Sequence, residues 1–295
     1  MKPKVIAIYG RTVSAQYFKQ VQNLIDQLDE NGVQLYFHAQ FHSMLSQHIR
    51  IPETCVLFEK HGEIVNKIDL LLSIGGDGTL LDTITLIRDS GIPVLGINTG
   101  RLGFLSSISD KEIRPAIEQV LNGKYELDKR SLLEIEIENN PFESFNYALN
   151  EITVHKKDSS SMMTIHTYIS GQFLNSYWAD GLIIASPTGS TAYSLSCGGP
   201  IVAPDASGFI LTPIAPHNLT VRPFMVPDHH EITLKVEGRE EQFLAALDSR
   251  SAPLSETTDI LIRKSGFQIN LIRLENQSFL KTLRHKLMWG ADKRN

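Results

Sequence analysis

The fold of the first part of this chain is decided by one stretch, Leu70-Leu71-Leu72-Ser73-Ile74-Gly75-Gly76-Asp77-Gly78-Thr79. Its first five residues are almost entirely apolar, which is typical of a strand buried within a parallel sheet. Glycines around one aspartate then end the strand, and residues 79–88 have the spacing of a helix. A buried strand that turns directly into a helix predicts a parallel α/β sheet.

The sequence on both sides of this stretch continues the same alternation of strand and helix. Short apolar runs at 5–9, 33–37 and 93–97 predict further strands. The apolar residues with helical spacing are Phe18, Val21, Leu24, Ile25 and Leu28 in one segment and Ile113, Ile117, Val120 and Leu121 in another. We therefore expect residues 1–126 to form a Rossmann-like parallel α/β domain.

The pattern changes from about residue 127. Leu133, Ile135 and Ile137 alternate with glutamates, which predicts a strand with one solvated face. Short strand patterns separated by Gly and Pro continue to about residue 272, without a long helix between them. This predicts an all-β, sandwich-like second domain over residues 127–273. Helical spacing returns in residues 274–295, which we expect to form a C-terminal helical tail.

The composition excludes several classes of protein. The 295 residues carry a net charge of −5, which argues against non-specific binding to nucleic acid. No apolar run approaches the roughly 20 residues that a membrane-spanning helix needs. The two cysteines, Cys55 and Cys197, suit a reducing compartment and form no ligand cluster. We expect a cytoplasmic protein that binds neither nucleic acid nor membrane.

The glycine turn after the buried strand predicts a phosphate site. Glycines allow a ligand to approach backbone N–H groups, and these groups bind anions together with the N-terminus of the following helix. Asp77 would lie at the carboxyl end of a parallel strand, where open α/β sheets bind their ligands. The turn has neither the lysine of a P-loop nor the spacing of the dinucleotide fingerprint. A plain turn with Asp77 as a helix cap is the alternative.

A second motif follows Asp180, where the apolar residues 181–185 lead into a loop rich in hydroxyl groups. Residues 186–196 contain six serines or threonines and one tyrosine, and such a loop can bind a polar, aromatic ligand. Asn150 and Glu151 open another apolar strand. These side chains are costly to bury unless they are paired, and together they can bind an amide or a ribose hydroxyl.

These motifs resemble those of known kinases. The turn Gly75-Gly76-Asp77-Gly78-Thr79 resembles that of the small-molecule kinases, which include NAD kinases, diacylglycerol kinases and sphingosine kinases and, more distantly, phosphofructokinases. The loop at 180–200 resembles the dinucleotide-binding loop of NAD kinases, and residues 98–105 and 213–224 resemble further stretches of the same family. The chain is therefore identified as a member of the NAD kinase family by residues 70–105 and 148–226.

The resemblance implies transfer of a phosphoryl group from ATP to the 2′-hydroxyl of the adenosine ribose of NAD, which gives NADP. Asp77 would accept or orient the hydroxyl proton. The expected donor-phosphate residues are Gly75, Gly76, Gly78 and Thr79. Mg²⁺ or another divalent metal would be held mainly by the substrate phosphates, without a protein ligand set. The expected NAD-binding residues are Asp77, Gly78, Phe104, Asn150, Glu151, Asp180, Thr191, Ala192, Tyr193, Ser196 and Ala215.

Some features leave questions open. Ser249-Arg250 follows Asp248 where many family members have Gly-Gln, so the ligand contact near Asp248 is undecided, and Asp82 receives no role.

A lipid or sphingoid kinase is one alternative function, although the acidic balance and the 180–200 loop argue against it. A non-catalytic dinucleotide-binding sensor is another, although Asp77 is present. The donor (ATP, other nucleotides or polyphosphate) and the choice between NAD and NADH stay open. The resemblance to the family implies that the protein is a homodimer or homotetramer.

Overall fold

A computed structural model of the chain describes residues 2–100, 103–106, 108–109, 112–142, 145–157, 163–238, 242–275 and 277–289. The chain divides into two compact units, of which the first consists of Met1–Lys129 and Ile269–Asn295 and the second of Arg130–Gln268. The boundaries expected from the sequence lay after residues 126 and 273. The structure instead assigns the end of the chain to the first unit.

The first unit is built on a parallel sheet. Its strands are β1 (Val5–Gly10), β2 (Gln34–His38), β3 (Val56–Phe58), β4 (Leu70–Ile74), β5 (Val94–Ile97) and the end of β17 (Ile260–Leu274). Their order is β3-β2-β1-β4-β5-β17, and each neighbouring pair is parallel. Because Gly10 pairs with Ile74 and Ile74 with Ile97, three strands end at the same edge. Parallel sheets bind ligands at this edge.

Helices cover the sheet of the first unit. They are α1 (Phe18–Glu30), α2 (Ala39–Leu45), α3 (His61–Ile64), α4 (Asp77–Ile87), α5 (Ile113–Leu121) and α7 (Phe279–Leu287). All five residues of β4 are buried, as a strand between two neighbours and two helical layers requires. Helix α1 buries Val21, Leu24, Ile25 and Leu28, the stripe predicted from the sequence. The predicted α/β part of the fold is confirmed.

The second unit consists mainly of antiparallel strands. They are the end of β6 (Tyr125–Glu136), β7 (Tyr147–Ala148), β8 (Glu151–Lys156), β9 (Met163–Ile169), β10 (Gln172–Ala179), β11 (Gly181–Ala185), β12 (Phe209–Ile214), β13 (Phe224–Val226), β14 (Ile232–Gly238), β15 (Gln242–Leu247), β16 (Arg250–Ser255) and the start of β17. One sheet has the order β13-β12-β11-β8-β15-β16, and β10, β9, β14 and β17 are neighbours in another. A four-residue helix, α6 (Tyr193–Ser196), follows β11.

An apolar core lies between the two sheets of the second unit. Leu182 and Ile184 of β11 contribute from one sheet, and Ile165 and Leu234 contribute from the other. Ile183 and Ala185 project from the opposite face of β11 and pack with Ile210, so this strand is buried on both faces. The predicted β-sandwich-like domain is confirmed.

The structure contains strands that the sequence pattern did not predict. These are β3, β10, β12, β13 and β16, and β17 is one continuous strand where the pattern predicted two, at 259–263 and 267–272. β12 is buried almost throughout its length, so it lacks the alternation that marks a half-exposed strand. β10 has exposed apolar residues, Phe173 and Trp178, which obscure the usual division between an apolar and a polar face.

The C-terminal helix begins at a regular cap. The side chain of Ser278 accepts a hydrogen bond from the backbone N–H of Lys281, and Met288 ends the helix in the left-handed region. Residue 276 and residues 290–295 of the predicted tail lie outside the described residues. Across the described part of the chain, no helix has both the length and the apolar composition needed to cross a membrane.

We predict that the end of β17 stabilises the first unit as strongly as its interior strands do. Ile272 is 7% exposed and belongs to the core of this unit, so Ile272→Ala should lower the free energy of unfolding by about 2–5 kcal/mol. Leu280 on α7 is 65% exposed, and Leu280→Ala should cost less than about 0.5 kcal/mol. Urea denaturation of both variants measures the difference, and equal stabilities would contradict the assignment.

Candidate active site

The glycine turn owes its shape to one residue, Gly75. Its φ of +151° suits glycine, and a Cβ atom here would lie 2.3 Å from Oγ1 of Thr79. A Cβ atom on Gly76 or Gly78 would meet nothing within 4 Å, so both glycines border open space at the start of α4. The first N–H groups of a helix have no acceptor within it. Gly76 and Gly78 therefore provide the exposed backbone of this turn.

The structure narrows the predicted set of phosphate donors. The N–H of Gly75 donates to the carbonyl of Ile97 at 2.9 Å, and the N–H of Thr79 donates to the carbonyl of Gly76 at 3.0 Å. Both groups are therefore committed to the turn itself. Gly76 and Gly78 remain as backbone donors that can face a phosphate, which the sequence could not distinguish from the other two.

The carboxylate of Asp77 holds a second loop. The backbone N–H groups of Phe104, Leu105 and Ser106 donate to it at N···O distances of 2.8, 3.0 and 2.9 Å. A Cβ atom on Gly103 would lie 1.8 Å from Oδ1 of Asp77, so only glycine permits this approach. Asp77 is thus a helix-terminal carboxylate that also fixes the backbone of residues 104–106.

Asn98 supports the same loop from the end of β5. Its side chain is 3% exposed, donates to the carbonyl of Ser106 at 3.2 Å and accepts the N–H of Gly100 at 2.6 Å. The resemblance had singled out this asparagine only as part of a family stretch. Its position shows that it closes the loop that Asp77 anchors.

Phe104 belongs to this loop, and its ring lies near the C-terminal helix α7. Its ring lies 6.3 Å from the ring of Phe279, and Nζ of Lys286 lies 4.7 Å from its centroid. An ammonium group at this distance is attracted by the face of the ring. The sequence analysis did not connect α7 with Phe104, because no local pattern links residues so far apart in the chain.

Asp82 pairs with Arg11 and Tyr9. Nε and a terminal nitrogen of Arg11 donate to the two oxygens of Asp82, and the hydroxyl of Tyr9 donates to Oδ2 at 3.0 Å. Burial, and then the charge of Asp82, raise the pKa of Tyr9 to about 12. The role that the sequence left open for Asp82 is therefore to join the end of β1 to helix α4.

In the second unit, buried hydroxyls build the loop after β11. Ser186 donates to the carbonyl of Leu149 and accepts the N–H of Gly189. Ser190 donates to the carbonyl of Pro187, and Ser194 pairs with Thr212 at 2.8 Å. These serines are 0% exposed. They hold the loop in place, and their side chains are not its ligand-facing groups.

The residues that the resemblance assigned to NAD lie on the outer side of this loop. Tyr193 is 45% exposed, Ser196 is exposed, and Thr191 and Ala192 are partly exposed. The hydroxyl of Thr191 donates to the carbonyl of Thr188. The division of the loop into a buried and an exposed set therefore agrees with the residues chosen from the sequence.

Asn150 and Glu151 adjoin this loop. The carbonyl of Asn150 accepts the N–H of Ser186 at 2.8 Å, and a Cβ atom on Gly189 would lie 2.0 Å from that carbonyl. Glu151 accepts a hydrogen bond from the backbone N–H of Tyr193. Asn150, Glu151 and the loop with Tyr193 are therefore brought together in the second unit.

Asp248 orients the segment that carries Asn150 and Glu151. Its carboxylate accepts the backbone N–H groups of Leu149, Asn150 and Glu151 at 2.9, 2.8 and 3.2 Å. Its φ of +52° is unusual for a residue with a side chain and turns the carboxylate back over this segment. Burial raises the pKa of Asp248, although the three N–H groups oppose the shift.

Arg250 secures the chain just before this segment. Its guanidinium donates to the carbonyls of Phe145 and Tyr147 and lies over the ring of Phe145, 5.0 Å from the centroid. Where the sequence departs from the family pattern, the replacement arginine therefore has a structural role. The sequence analysis missed both Asp248 and Arg250 as supports, since their partners lie about a hundred residues away.

Asp180 and Ala215 lie at the other end of β11. Oδ1 of Asp180 pairs with Nζ of Lys156 at 2.7 Å, and its N–H donates to the carbonyl of Ile214, which precedes Ala215. Burial, and then the neighbouring Cys197, raise the pKa of Tyr193, and Asp180 and Glu151 act on it in the same direction. Tyr193 thus connects the two ends of the candidate NAD-binding surface.

Two family models match this chain. The ATP-NAD kinase N-terminal domain matches residues 6–125, and the ATP-NAD kinase C-terminal domain matches residues 149–274. The chain belongs to the ATP-NAD kinase family. The matched segments contain the glycine turn, the hydroxyl-rich loop and every predicted site residue.

Relatives of known structure and name agree with this membership. A protein named NAD kinase from Flavobacterium psychrophilum is 47% identical over 292 residues, which cover 98% of this chain and 99% of the relative. Yeast NADH kinase complexed with NADH has a TM-score of 0.86 at 25% identity and covers 98% of this chain and 88% of its own. An NAD kinase from Archaeoglobus fulgidus in complex with ATP has a TM-score of 0.72 at 25% identity, with coverages of 96% and 98%.

The predicted site residues fall into two groups, one in each unit. The first unit contains Asp77 with the glycine turn and Phe104, and the second contains Asn150, Glu151, Asp180, Ala215 and the loop with Tyr193. Within the described ranges, no three His, Cys, Asp or Glu side chains are grouped so that they could hold a metal ion.

We predict that Arg250 stabilises the second unit through buried backbone acceptors. Arg250→Ala leaves the carbonyls of Phe145 and Tyr147 without this donor, which should cost about 1–3 kcal/mol of unfolding free energy. Amide hydrogen exchange should also become faster in residues 145–151. Arg222 donates to two backbone carbonyls at an exposed position, so Arg222→Ala is the matched control and should cost less than about 0.5 kcal/mol. Equal costs would contradict the assignment.

Proposed function

We propose that this chain phosphorylates NAD. The terminal phosphoryl group of ATP is transferred to the 2′-hydroxyl of the adenosine ribose, so that a bond forms between this oxygen and phosphorus. The bond from phosphorus to the oxygen that bridges the last two phosphates breaks, and the products are NADP and ADP. The observation that carries the proposal is the Asp77 carboxylate beside exposed Gly76 and Gly78 in a chain that also has the family's dinucleotide loop.

The relatives support this activity over the alternatives. Proteins named NAD kinase match almost the full length of the chain at 42–47% identity. The similar solved structures carry NADH in one case and ATP in the other. A lipid or sphingoid kinase is not favoured, because both halves of the chain match ATP-NAD kinase domains. A non-catalytic sensor is not favoured by relatives that are named as kinases.

Asp77 has the acceptor capacity for a role in the reaction. An ionised carboxylate has about four lone-pair positions, and three are occupied by backbone N–H groups. One position remains on Oδ2, which among the described residues accepts the N–H of Phe104 alone. The 2′-hydroxyl of NAD donates to this position, and Asp77 orients the hydroxyl and accepts its proton as the bond to phosphorus forms. The three N–H groups keep the carboxylate from rotating away.

The start of α4 binds the phosphates of the donor. The N–H groups of Gly76 and Gly78, together with the dipole of the 11-residue helix α4, favour negative charge at this point. Phosphoryl transfer depends mainly on positioning and on neutralising charge, so fixed backbone donors are suited to it. Gly75 and Thr79 contribute by shaping the turn.

We propose that Mg²⁺ or another divalent metal is held mainly by the substrate phosphates. The donor set of this chain fits that arrangement, since three acceptor positions of Asp77 are already used by backbone N–H groups. When bound, the metal neutralises the charge on the transferring phosphoryl group.

Buried and exposed groups of the second unit bind NAD together. Asn150, Glu151 and Asp180 bind its sugar and amide groups, and Ala215 lies beside Asp180 at the end of β12. The loop residues Thr191, Ala192, Tyr193 and Ser196 line the dinucleotide. Phe104, an expected NAD-binding residue, stacks on a base or on the nicotinamide ring. A cytoplasmic location remains a prediction. Self-association also remains a prediction, and the exposed side chains of Phe173 and Trp178 on β10 support it.

The purified protein should form NADP from NAD and ATP with Mg²⁺ present. A coupled assay in which a NADP-specific dehydrogenase reduces the product measures this directly. Diacylglycerol and sphingosine, offered in place of NAD with radiolabelled ATP, should remain unlabelled. Absence of NADP from a folded preparation, or labelling of either lipid, would refute the proposed function.

We predict that Asp77→Asn lowers kcat by about 10²–10⁴-fold, because the amide cannot accept the hydroxyl proton. The amide nitrogen would also oppose one or more N–H groups of residues 104–106, so the loop is disturbed as well. Gly103→Ala separates the two effects, since its Cβ atom displaces the loop while the carboxylate remains.

The expected kcat of Gly103→Ala exceeds that of Asp77→Asn by at least about tenfold. Steady-state kinetics with NAD as the varied substrate give both values. If the two variants lose kcat equally, Asp77 acts only by holding the loop.

A further inference from the structure

One buried carboxyl oxygen of the second unit lacks a hydrogen-bond partner among the described residues. It is Oε2 of Glu151, a side chain that is only 9% exposed. The carboxyl group accepts a hydrogen bond from the backbone N–H of Tyr193. Buried polar atoms in folded proteins are nearly always paired, so an unpartnered oxygen beside a ligand-binding loop indicates an atom that a ligand completes.

The charges around Glu151 do not favour a second negative charge. The nearest is the carboxylate of Asp248, which accepts the backbone N–H of Glu151 itself at 3.2 Å. Asp248 accepts three backbone N–H groups, and the charge of Arg250 also lowers its pKa, so Asp248 is the carboxyl group of the pair that ionises more readily. Two carboxyl groups close together in a buried place do not both ionise readily.

The other titratable groups near Glu151 are Tyr193 and Cys197 of α6, and Asp180 with Lys156 at the far end of β11. Burial raises the pKa of the Tyr193 phenol and of the Cys197 thiol, so both lose their protons at higher pH than usual. Asp180 is paired with Lys156. None of these groups supplies Glu151 with a compensating positive charge.

We propose that Glu151, already one of the proposed NAD-binding residues, binds NAD as a neutral carboxylic acid, and that Asp248 is the positioning residue that keeps it neutral. The proton lies on Oε2, and this O–H donates to an uncharged oxygen or nitrogen acceptor of the nucleoside part of NAD. A neutral acid also avoids repulsion of the two phosphates of the dinucleotide. The inference rests on the proposed function for the identity of its ligand.

The pKa of Glu151 sets the range in which this acid is available. Burial, and then the charge of Asp248, raise the pKa from its ordinary value of 4.5 to about 8. The native state therefore keeps a proton that the unfolded state loses between pH 4.5 and pH 8. The stabilisation is complete below the lower value and is lost as the pH rises through about 8. The affinity for NAD follows the same direction, because the ligand binds the protonated form.

Isothermal titration of NAD between pH 6 and pH 9.5 tests the proposal. In the wild-type protein the dissociation constant should be constant up to about pH 7.5 and then rise towards tenfold per pH unit. Glu151→Gln, which keeps a neutral donor, should bind NAD within about threefold of wild type at pH 7 and lose this rise. Glu237→Gln changes an exposed carboxyl of the same unit and should retain the wild-type profile.

Asp248→Asn provides a second variant with Glu151 intact. Removing the neighbouring charge should lower the pKa of Glu151, so the affinity should begin to fall at a lower pH than in wild type. Infrared difference spectra of the free protein provide a readout that does not depend on NAD. A protonated-carboxyl band at pH 7 should be present in wild type and absent from Glu151→Gln.

The outcomes separate the inference from the proposed function. A flat wild-type profile, a missing carboxyl band, or a loss of affinity in Glu151→Gln as large as in Glu151→Ala would overturn the neutral acid while NADP formation persists. A protein that retains the carboxyl band but neither binds NAD nor forms NADP would refute the proposed function instead.

Discussion

The two candidate ligand-binding regions depend on the same interaction, an aspartate carboxylate that accepts three consecutive backbone N–H groups. Asp77 holds residues 104–106 in the first unit, and Asp248 holds residues 149–151 in the second. Hydrogen bonds to a charged acceptor are about twice as strong as neutral ones. Each aspartate thereby fixes a segment of irregular backbone that could not hold its own shape, and these segments carry Phe104, Asn150 and Glu151.

The environment then gives the carboxyl groups of the second unit different tasks. The carboxylate of Asp248 accepts hydrogen bonds from three N–H groups, whereas Glu151 has an unpartnered oxygen and a raised pKa. The same division appears among the hydroxyls after β11, where Ser186, Ser190 and Ser194 are buried and Tyr193 is exposed. One set of polar groups makes the surface rigid, and the other faces outward. A binding site needs both, because loosely held groups bind with a larger loss of conformational freedom.

Structural features that depend on residues close together in the chain were predictable. The fully apolar β4, the stripe of α1 and the glycine turn depend on neighbours in the chain, and each lies where the sequence placed it. The strand β12 was missed because it is buried almost throughout, and β10 because its exposed aromatic residues obscure the alternation that marks a strand. The hydrogen bonds of the Gly75 and Thr79 N–H groups within the turn could not be known from the sequence.

The sequence by itself determined the fold class and the family, since motif spacing and hydrophobic period are local properties. It also selected the candidate residues, because the types of residue that bind a dinucleotide occur together in short stretches. Only the tertiary structure decided that the chain's end joins the first unit, that Arg250 supports the segment before β8, and that Asp248 lies against Glu151. These three features depend on contacts between residues about a hundred or more positions apart. The protonation of Glu151 follows from its burial and from its proximity to Asp248, which no local pattern encodes.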